Sequence, residues 1–383
     1  MSTRADLRPT WAEIDLDAFA GNVATIADSL PSGSRLIAVL KADGYGHGAL
    51  ELARRCSPQH VAMIATSLLE EALELKTGGI VLPLLVLGPL TAAQIPIAAD
   101  AGIRIGVIGP EELAMVCQLA RDRDVSIDLK LDSGMGRMGI VESDLGAVIG
   151  MLQSSPRVKV EAAYTHYASA DDDEPFTTAQ SAKFDKMLLQ LRAAGIAPSL
   201  HHMANSAATL RGVVRPGDYA RCGIALFGAE SVIDGRRRTQ PVMRWRTEIA
   251  RLKDLPAATA VGYGTTFHTS RPSRIATLPV GYADGYDRRL SNRAQVLLRG
   301  RRVPVVGRVS MDLLTIDVTD LPDAAMGDEV ILLGADGDER ITAEELASLA
   351  GTISYEIFCR VSARVPRLFR DADGSRLSSR FTP

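Results

Sequence analysis

Short apolar runs alternate with longer amphipathic segments from about residue 17 to residue 240, and this alternation constrains the fold more than any other feature. It is typical of parallel β-strands that are connected by α-helices. Eight runs have the length and composition of strands, at residues 36–40, 60–64, 84–87, 103–107, 126–131, 158–164, 199–202 and 220–226. Eight strand–helix units in roughly 220 residues predict an α/β fold, a (β/α)8 barrel of the TIM type, which usually needs about 250 residues.

After residue 240 the chain changes to β-branched runs that are separated by turns. We predict strands at 245–252, 274–278, 313–318 and 329–333, a hairpin at 296–304, and one helix that opens at Thr342. This pattern predicts a barrel domain at residues 1–240 and a mostly β domain at 241–383, with the charged stretch 231–239 as the linker. The first ~15 residues are expected to pair with the β domain.

Composition excludes several classes of partner. The 43 basic and 46 acidic residues are scattered along the chain and leave a net charge of −3, so we expect no binding to nucleic acid. The longest apolar run, at 80–90, is too short to span a bilayer, and the N-terminus lacks the apolar segment of a signal peptide. The four cysteines form no C-x-x-C pair. We expect a cytoplasmic protein that acts on a small molecule, without a metal and away from the membrane.

The first predicted strand runs directly into Lys41, which is followed by a turn with three glycines that also holds Tyr45. In a barrel, reactive groups gather at the carboxyl ends of the strands. A partly desolvated amine there is suited to Schiff-base chemistry, because desolvation favours its nucleophilic form. A strand-end lysine taken alone more often points into solvent, so Lys41 is a candidate only together with its neighbours.

Polar clusters follow four further predicted strands. They comprise Lys130 and Arg137 after the fifth strand, His166 after the sixth, Asn205 and Ser206 after the seventh, and Arg221, Gly223 and Ile224 in the eighth. Loops seven and eight of such barrels commonly bind phosphate, and Ser206, Gly223 and Ile224 fit that role. Taken singly, each of these residues is an ordinary polar strand end or turn.

Seven motifs occur together, in the order AVLKADGYGHG, LDSGMGRMG, YTH, HMANSAA, VGYGTTF, VGYADGY and TISYE. With them the chain resembles bacterial alanine racemases from residue 11 to about residue 369. The resemblance implies an isomerase that interconverts L-alanine and D-alanine with pyridoxal 5'-phosphate (PLP) and supplies D-alanine for peptidoglycan. It also implies a head-to-tail homodimer, in which the β domain of one chain completes the barrel site of the other.

The resemblance assigns two bases. Lys41 would bind PLP and move the α-proton on one face, and Tyr263 would be the base on the other, since racemisation needs a base on each side of a planar carbanion. His166 would link Tyr263 to Arg221, which would contact the pyridine nitrogen. An arginine does not readily give up its proton, so it weakens the electron sink and disfavours transamination.

The resemblance also implies roles around the substrate and the phosphate. Arg137 would contact the cofactor and the substrate carboxylate, helped by Met311 and Asp312. A carbamate on Lys130 would orient Arg137. The phosphate and cofactor would be held by Tyr45, Asn205, Ser206, Gly223, Ile224 and Tyr355, and the entrance would be narrowed by Tyr282 and Tyr355. Three residues depart from the family pattern, namely Ser310, Cys222 and Phe358.

Other functions remain open from the sequence. A racemase with a broader choice of small amino acids, such as alanine and serine, would share these motifs. An amino-acid decarboxylase of the same layout, fold type III, would carry an acid where Arg221 stands. A PLP-carrier protein would lack the second domain, and a metal-dependent barrel hydrolase would need H-x-H where Lys41-Ala-Asp stands.

Overall fold

The structure is a computed structural model that describes residues 8–230, 232–233 and 235–378. The chain forms two compact units. The first, called the barrel domain below, consists of residues 20–44 and 49–239. The second, called the β domain, consists of residues 8–19, 45–48 and 240–378 among those described. Within the described residues, no helix is long and apolar enough to cross a membrane.

Eight parallel strands form the sheet of the barrel domain. They are β2 (Leu36–Val39), β3 (Val61–Thr66), β4 (Leu84–Val86), β5 (Arg104–Val107), β6 (Val125–Lys130), β7 (Val158–Tyr164), β8 (Leu200–His202) and β9 (Ala220–Cys222). Each strand pairs with the next along the chain from β2 to β8, and β9 pairs with β2. Two backbone hydrogen bonds, from Tyr219 to His201 and from Arg221 to Ala204, both 2.8 Å, join the two ends of the sheet. The predicted fold class is confirmed.

The first helix of this part of the chain precedes β2, and the others lie between successive strands. The helices are α1 (Leu16–Asp28), α2 (Lys41–Gly46), α3 (Ala49–Ala53), α4 (Leu69–Thr77), α5 (Gln94–Asp100), α6 (Pro110–Leu119), α7 (Leu145–Gln153), α8 (Glu174–Ala193) and α9 (Ser206–Leu210). Proline at the first position of α6 costs no intrahelical hydrogen bond, because an N–H at that position has no acceptor within the helix. At α4 the capping carboxylate is Glu71, which accepts the N–H groups of Ser67 and Leu68.

Helix α2 is a left-handed turn directly after Lys41. The non-glycine residues Ala42, Asp43 and Tyr45 have φ of 53°, 53° and 54°, and both glycines of the turn also have positive φ. L-residues reach this region only at a cost of about 1–2 kcal/mol each. The turn is supported by the Glu71 carboxylate, which accepts the Ala42 N–H at 2.6 Å. Strain of this kind is concentrated at functional sites.

Among the described residues, the β domain contains most of the other strands and two further α-helices. Its strands are β1 (Thr10–Asp15), β12 (Met243–Glu248), β13 (Arg251–Leu255), β14 (Ala260–Val261), β15 (Phe267–His268), β16 (Ser273–Leu278), β17 (Gln295–Leu298), β18 (Arg301–Pro304), β19 (Leu314–Asp317), β20 (Glu329–Asp336), β21 (Glu339–Ile341), β22 (Arg367–Asp371) and β23 (Gly374–Ser378). Its helices are α10 (Ala343–Ala350) and α11 (Ser354–Arg360). Strand β1 pairs antiparallel with β12 and parallel with β22, within the largest sheet of this domain.

Three predicted elements differ from the structure. The strand predicted at 220–226 ends at Cys222, and Ile224–Phe227 is a 3-10 helix whose side chains are all buried. The strand predicted at 245–252 is two strands, β12 and β13, separated at residues 249–250. A second helix, α11, follows α10. The predicted linker 231–239 includes the two-residue strands β10 (Val232–Ile233) and β11 (Arg236–Arg237), while residues 231 and 234 lie outside the described residues.

Gly46 has φ of +78°, and a Cβ there would lie 2.5 Å from the carbonyl oxygen of Phe358. We expect Gly46→Ala to lower the free energy of unfolding by about 1–3 kcal/mol, because it combines backbone strain with a backbone clash. Urea-induced unfolding checks this result. The matched control is Gly150→Ala in α7, where a Cβ meets nothing within 4 Å and should stabilise by about 0.5–1 kcal/mol. Equal effects of the two substitutions would contradict the strained turn.

Candidate active site

Arg221 is a buried cation at the end of β9. Its Nη2 donates to the carbonyl oxygen of Thr165 at 2.6 Å, and its Nη1 to Nδ1 of His202 at 2.7 Å. A contact of 3.1 Å joins Nη2 to Nδ1 of His166. Burial lowers the pKa of Arg221 to about 10, so the guanidinium stays protonated at neutral pH. Because a guanidinium only donates, the Nδ1 atoms of both histidines must accept.

A second layer of charge lies behind Arg221, inside the barrel. Since Nδ1 of His202 accepts, its proton is on Nε2, which donates to Oδ2 of Asp128 at 3.1 Å. Asp128 also forms an ion pair with Arg104 at 2.6 Å. The His202 ring stacks on Tyr164 with centroids 4.7 Å apart. Asp128 thus places a negative charge within the barrel and fixes the tautomer of the histidine that holds Arg221.

His166 and His202 are both neutral imidazoles. Burial, followed by the charge of Arg221, lowers the pKa of His166 to about 3. Burial lowers the pKa of His202 to about 4, although its hydrogen bond to Asp128 acts in the opposite direction. Desolvation disfavours the charged form of an imidazole, which explains both directions. At neutral pH each ring therefore has one donor and one acceptor nitrogen.

Four cationic side chains influence one another at the carboxyl ends of the barrel strands. Burial lowers the pKa of Lys130 to about 8, and the positive charges of Arg137, Arg221 and Lys41 act in the same direction. Asp132 opposes them. So much positive charge in one place is stabilised by an anion. The barrel domain therefore fits an anionic ligand.

The LDSGMGRMG motif forms a tight turn around Asp132. The Asp132 carboxylate accepts the N–H groups of Gly134 at 2.9 Å and of Gly136 at 3.0 Å. At Gly139, φ is +122°, and a Cβ would lie 2.9 Å from the Asp132 nitrogen. These constraints fix the turn that carries Arg137, whose side chain is exposed.

Three of the predicted phosphate residues, Ser206, Gly223 and Ile224, lie between β8 and the start of the 3-10 helix after β9. Oγ of Ser206 accepts the N–H of Gly223 at 3.0 Å and that of Ala225 at 3.4 Å. Asn205 caps α9, since its Oδ1 accepts the Ala208 N–H at 3.0 Å, and its amide donates to the carbonyl of Tyr167. Burial raises the pKa of Cys222 to about 11, so this departure from the family pattern is a neutral thiol. Ile224 is buried beside it.

The other predicted site residues belong to the β domain and leave much side chain accessible. Tyr263 is 72% exposed at the tip of the β14–β15 hairpin, and Met311 is 53% exposed. Tyr282 and Tyr355 are 42% and 37% exposed. Oδ1 of Asp312 accepts a hydrogen bond from Arg364 at 2.7 Å. The predicted hydrogen bond between His166 and Tyr263 joins residues of different units and stays a prediction.

The segment 45–48 is built into the β domain. Arg367 is buried and donates from Nε and Nη2 to the carbonyl oxygen of Gly46, at 3.0 and 2.8 Å. The Tyr45 ring lies 5.9 Å from that of Tyr355, measured between centroids. Phe358, a departure from the family pattern, packs edge-on against His47. The β domain therefore positions Tyr45 beside Tyr355, as expected of two residues that share one ligand group.

No group of three or more His, Cys, Asp or Glu residues that could hold a metal ion occurs in the described part of the chain. The donors that converge in the barrel are instead guanidinium, ammonium, imidazole, hydroxyl and backbone N–H groups. Together with the excess of positive charge, this donor set fits PLP, which carries a phosphate, a phenolate oxygen and a basic ring nitrogen.

Comparison with known families decides the classification. The family model for "Alanine racemase, N-terminal domain" matches residues 14–231, and that for "Alanine racemase, C-terminal domain" matches residues 242–369. The chain belongs to the alanine racemase family. The predicted resemblance and the predicted isomerase class are confirmed.

Individual alanine racemases agree along nearly the whole chain. The alanine racemase of Symbiobacterium thermophilum is 41% identical over 368 residues, which cover 95% of this chain and 97% of the relative. The one from Halothermothrix orenii is 40% identical over 96% of this chain and 98% of its own length. The crystal structure of alanine racemase from Bacillus anthracis with bound L-Ala-P has a TM-score of 0.90 at 36% identity, covering 97% of this chain and 98% of that one.

Several residues that the sequence motifs did not assign to the site support its arginine and histidine side chains. Asp128 and His202 lie within strands, where a buried acid among apolar neighbours is the one signal that could have revealed them. Gln180 of α8 is also buried, and its side chain bonds the Ala168 N–H at 2.9 Å and the His166 carbonyl at 3.1 Å. Glu71 supports the turn after Lys41, although its position on α4 gives no hint of this contact.

The low pKa of His202 makes the stability of the racemase fold dependent on pH. Between about 6.5, the ordinary pKa, and about 4, the unfolded chain binds a proton that buried His202 does not, so stability is lost as pH falls. We expect His202→Gln to lower stability at neutral pH and to reduce this slope by up to about 1.4 kcal/mol per pH unit. Urea unfolding at several pH values measures it.

The matched control for the pH experiment is Leu145→Ala, in which a fully buried side chain of α7 is truncated. It should lower the free energy of unfolding by about 2–5 kcal/mol at every pH, without changing the slope. A His202→Gln variant with the wild-type slope would contradict the neutral, Asp128-bonded imidazole.

Proposed function

We propose that this chain interconverts L-alanine and D-alanine with PLP as its cofactor. The observation that carries the proposal is the set of hydrogen bonds made by Arg221. Its guanidinium donates to Thr165, His202 and His166 at the ends of the barrel strands. The guanidinium would donate a hydrogen bond to a cofactor without transferring its proton. A decarboxylase of the same layout would need an acid at this place. The arginine found here therefore favours racemisation over decarboxylation.

PLP would be held by the residues that the family resemblance assigns to it. The proposed set is Lys41, Tyr45, Arg137, His166, Asn205, Ser206, Arg221, Gly223, Ile224 and Tyr355. When bound, PLP withdraws electrons from the α-carbon of an amino acid and so acidifies its α-proton. Ser206 and the N–H groups near Gly223 would face the phosphate, and Arg221 would face the ring nitrogen.

Lys41 and Tyr263 would hold the α-proton on opposite faces of the substrate. Two different bases remove the need for one group to cross the plane of the substrate. Nδ1 of His166 accepts from Arg221, so its proton is on Nε2. That N–H is suited to donate to the Tyr263 oxygen, which would stabilise the phenolate form. Arg221 would thereby orient the second base as well as the cofactor.

The substrate carboxylate would be bound by Arg137 with Met311 and Asp312. Tyr282 and Tyr355 would narrow the entrance, so that a methyl side chain fits best. We also propose a carbamate on Lys130. A pKa of about 8 leaves part of its amine neutral at physiological pH, and the neutral amine is the form that reacts with carbon dioxide. The modification would turn a cation into an anionic partner for Arg137.

We propose that the active form is a head-to-tail homodimer. Tyr263, Met311 and Ile353 are 72%, 53% and 59% exposed in the single chain, and apolar side chains of this size are typical of the centre of a protein interface. Tyr263 on a hairpin tip is suited to reach into a partner's barrel. We place the protein in the cytoplasm, where its product would supply D-alanine for peptidoglycan, in agreement with four cysteines that lie far apart and form no C-x-x-C pair.

Incubation with L-alanine in D₂O tests the reaction. We expect the optical rotation to fall to zero while deuterium enters the α-position, because a base must exchange the α-proton in each turnover. Release of carbon dioxide would instead indicate a decarboxylase. Comparable rates with L-serine would indicate a broader racemase for small amino acids.

Mixing two inactive variants tests the shared site. Lys41→Ala and Tyr263→Phe chains should each be nearly inactive, but their heterodimer contains one site with both bases. A refolded equimolar mixture should recover roughly a quarter of wild-type activity, since half of the dimers carry one intact site of two. The control mixes Tyr263→Phe with the double variant Lys41→Ala/Tyr263→Phe and should recover none. No recovery in the first mixture would argue for sites built within one chain.

A further inference from the structure

Asp284 is a buried carboxylate of the β domain to which none of the roles above applies. It ends the short 3-10 helix Tyr282–Asp284, and its side chain is fully buried. Oδ2 accepts the Gly281 N–H at 3.0 Å. A charge removed from water in this way is tolerated only when it is paired and hydrogen-bonded.

Two arginines from distant parts of the chain pair with this carboxylate. Arg8, which precedes β1, donates from both terminal nitrogens to the two oxygens of Asp284, at 3.1 and 2.5 Å. Arg364 places Nε 3.7 Å from Oδ1 of Asp284. The planar fork of an arginine makes the two-pronged contact of Arg8 directional, and the Asp284 charge attracts the guanidinium of Arg364 as well.

Arg364 connects this buried carboxylate to the proposed substrate site. Its Nη2 donates to Oδ1 of Asp312 at 2.7 Å, and the Asp312 side chain is otherwise half exposed. The charges therefore alternate along a chain of four residues, Arg8, Asp284, Arg364 and Asp312. Removing Arg8 would leave Arg364 as the one arginine beside Asp284 among the ion pairs of the described residues, and would draw it away from Asp312.

Backbone contacts join the same two segments. The N–H groups of Tyr282 and Ala283 donate to the carbonyl oxygens of Ser310 and Met311, both at 3.0 Å. A Cβ at Gly281 would lie 2.3 Å from both of these oxygens, so the segments approach as closely as glycine allows. Any shift of Asp284 is therefore transmitted to Met311 and Asp312.

We propose that Asp284 is a positioning residue for substrate binding, and that Arg8 acts on the substrate through Asp284, Arg364 and Asp312. The proposal rests on the proposed function, in which Met311 and Asp312 face the substrate. It assigns the segment ahead of β1 a part in alanine recognition. A misplacement of about 1 Å at such a site lowers kcat/KM by on the order of 10²-fold.

A double-mutant cycle on the full-length holoenzyme tests the transmission. Asp284→Asn would leave two arginines facing a neutral amide in the core, so the cycle uses Arg8, whose side chain is 29% exposed. The variants are Arg8→Gln, Asp312→Asn and their combination. Steady-state racemisation of L-alanine gives kcat and KM, PLP titration followed by absorbance gives the cofactor affinity, and thermal unfolding gives the Tm.

We expect Arg8→Gln to raise KM for L-alanine about tenfold with little change in kcat, because the loss concerns binding rather than the reacting atoms. PLP affinity should stay within about twofold of wild type. The combined variant should match Asp312→Asn alone, since Arg8 acts through Asp312. Arg8→Lys keeps the positive charge but cannot make the two-pronged contact with Asp284. Its KM should therefore lie between those of the wild type and Arg8→Gln.

The matched control is Arg370→Gln. Arg370 is also a β-domain arginine that pairs with an acid near the N-terminus, Glu13, but neither residue contacts the Tyr282 or Met311 segments in any described hydrogen bond. Arg370→Gln should leave KM for L-alanine unchanged, both in the wild-type chain and when it is combined with Asp312→Asn. If Arg8→Gln behaves like this control, or if its effect multiplies with that of Asp312→Asn, the positioning role is overturned. A wild-type chain without racemase activity would overturn the proposed function as well, so the two failures are distinguishable.

Discussion

The buried guanidinium of Arg221 is the interaction on which the rest of the candidate site depends. It donates to backbone and imidazole acceptors at the carboxyl ends of β7 and β8, and so it joins these two strands to β9. A buried cation with a full set of acceptors is rigid, because loss of any one acceptor leaves a donor unpaired in a region of low dielectric. Both histidines owe their tautomer to it. Asp128, one layer deeper, supplies the opposite charge that makes the arrangement tolerable.

Around Arg221, the chain contains a strained turn and an excess of positive charge. The left-handed turn after Lys41 places three non-glycine residues at positive φ. Four cations converge where a soluble protein would ordinarily separate them. Neither feature favours folding by itself. Each is stabilised by a carboxylate that accepts backbone N–H groups, Glu71 at the turn and Asp132 at the loop that carries Arg137. Both features become useful once an anionic ligand is bound.

The limits of sequence interpretation follow from the same physics. Apolar periodicity predicted all eight barrel strands, because strands buried on both faces form continuous apolar runs. The same rule failed at Ile224–Phe227, where a buried 3-10 helix is as apolar as a strand. It also failed at residues 249–250, where nothing in the composition signals the break between β12 and β13. Motifs pointed to residues that would face a ligand, whereas the roles of Asp128, Gln180 and Asp284 come from contacts with distant parts of the chain, which neighbouring residues do not reveal.

The four residues 45–48 have a consequence for the chain as a whole. They follow the first barrel strand by only a few positions, yet they belong to the β domain, where Arg367 holds Gly46 and Phe358 covers His47. Cutting the polypeptide between residues 231 and 239 would therefore not yield two self-sufficient pieces. The N-terminal fragment would keep Lys41 but lose the residues that anchor the segment just after it. The segment that directly follows Lys41 therefore depends on the β domain for its anchorage.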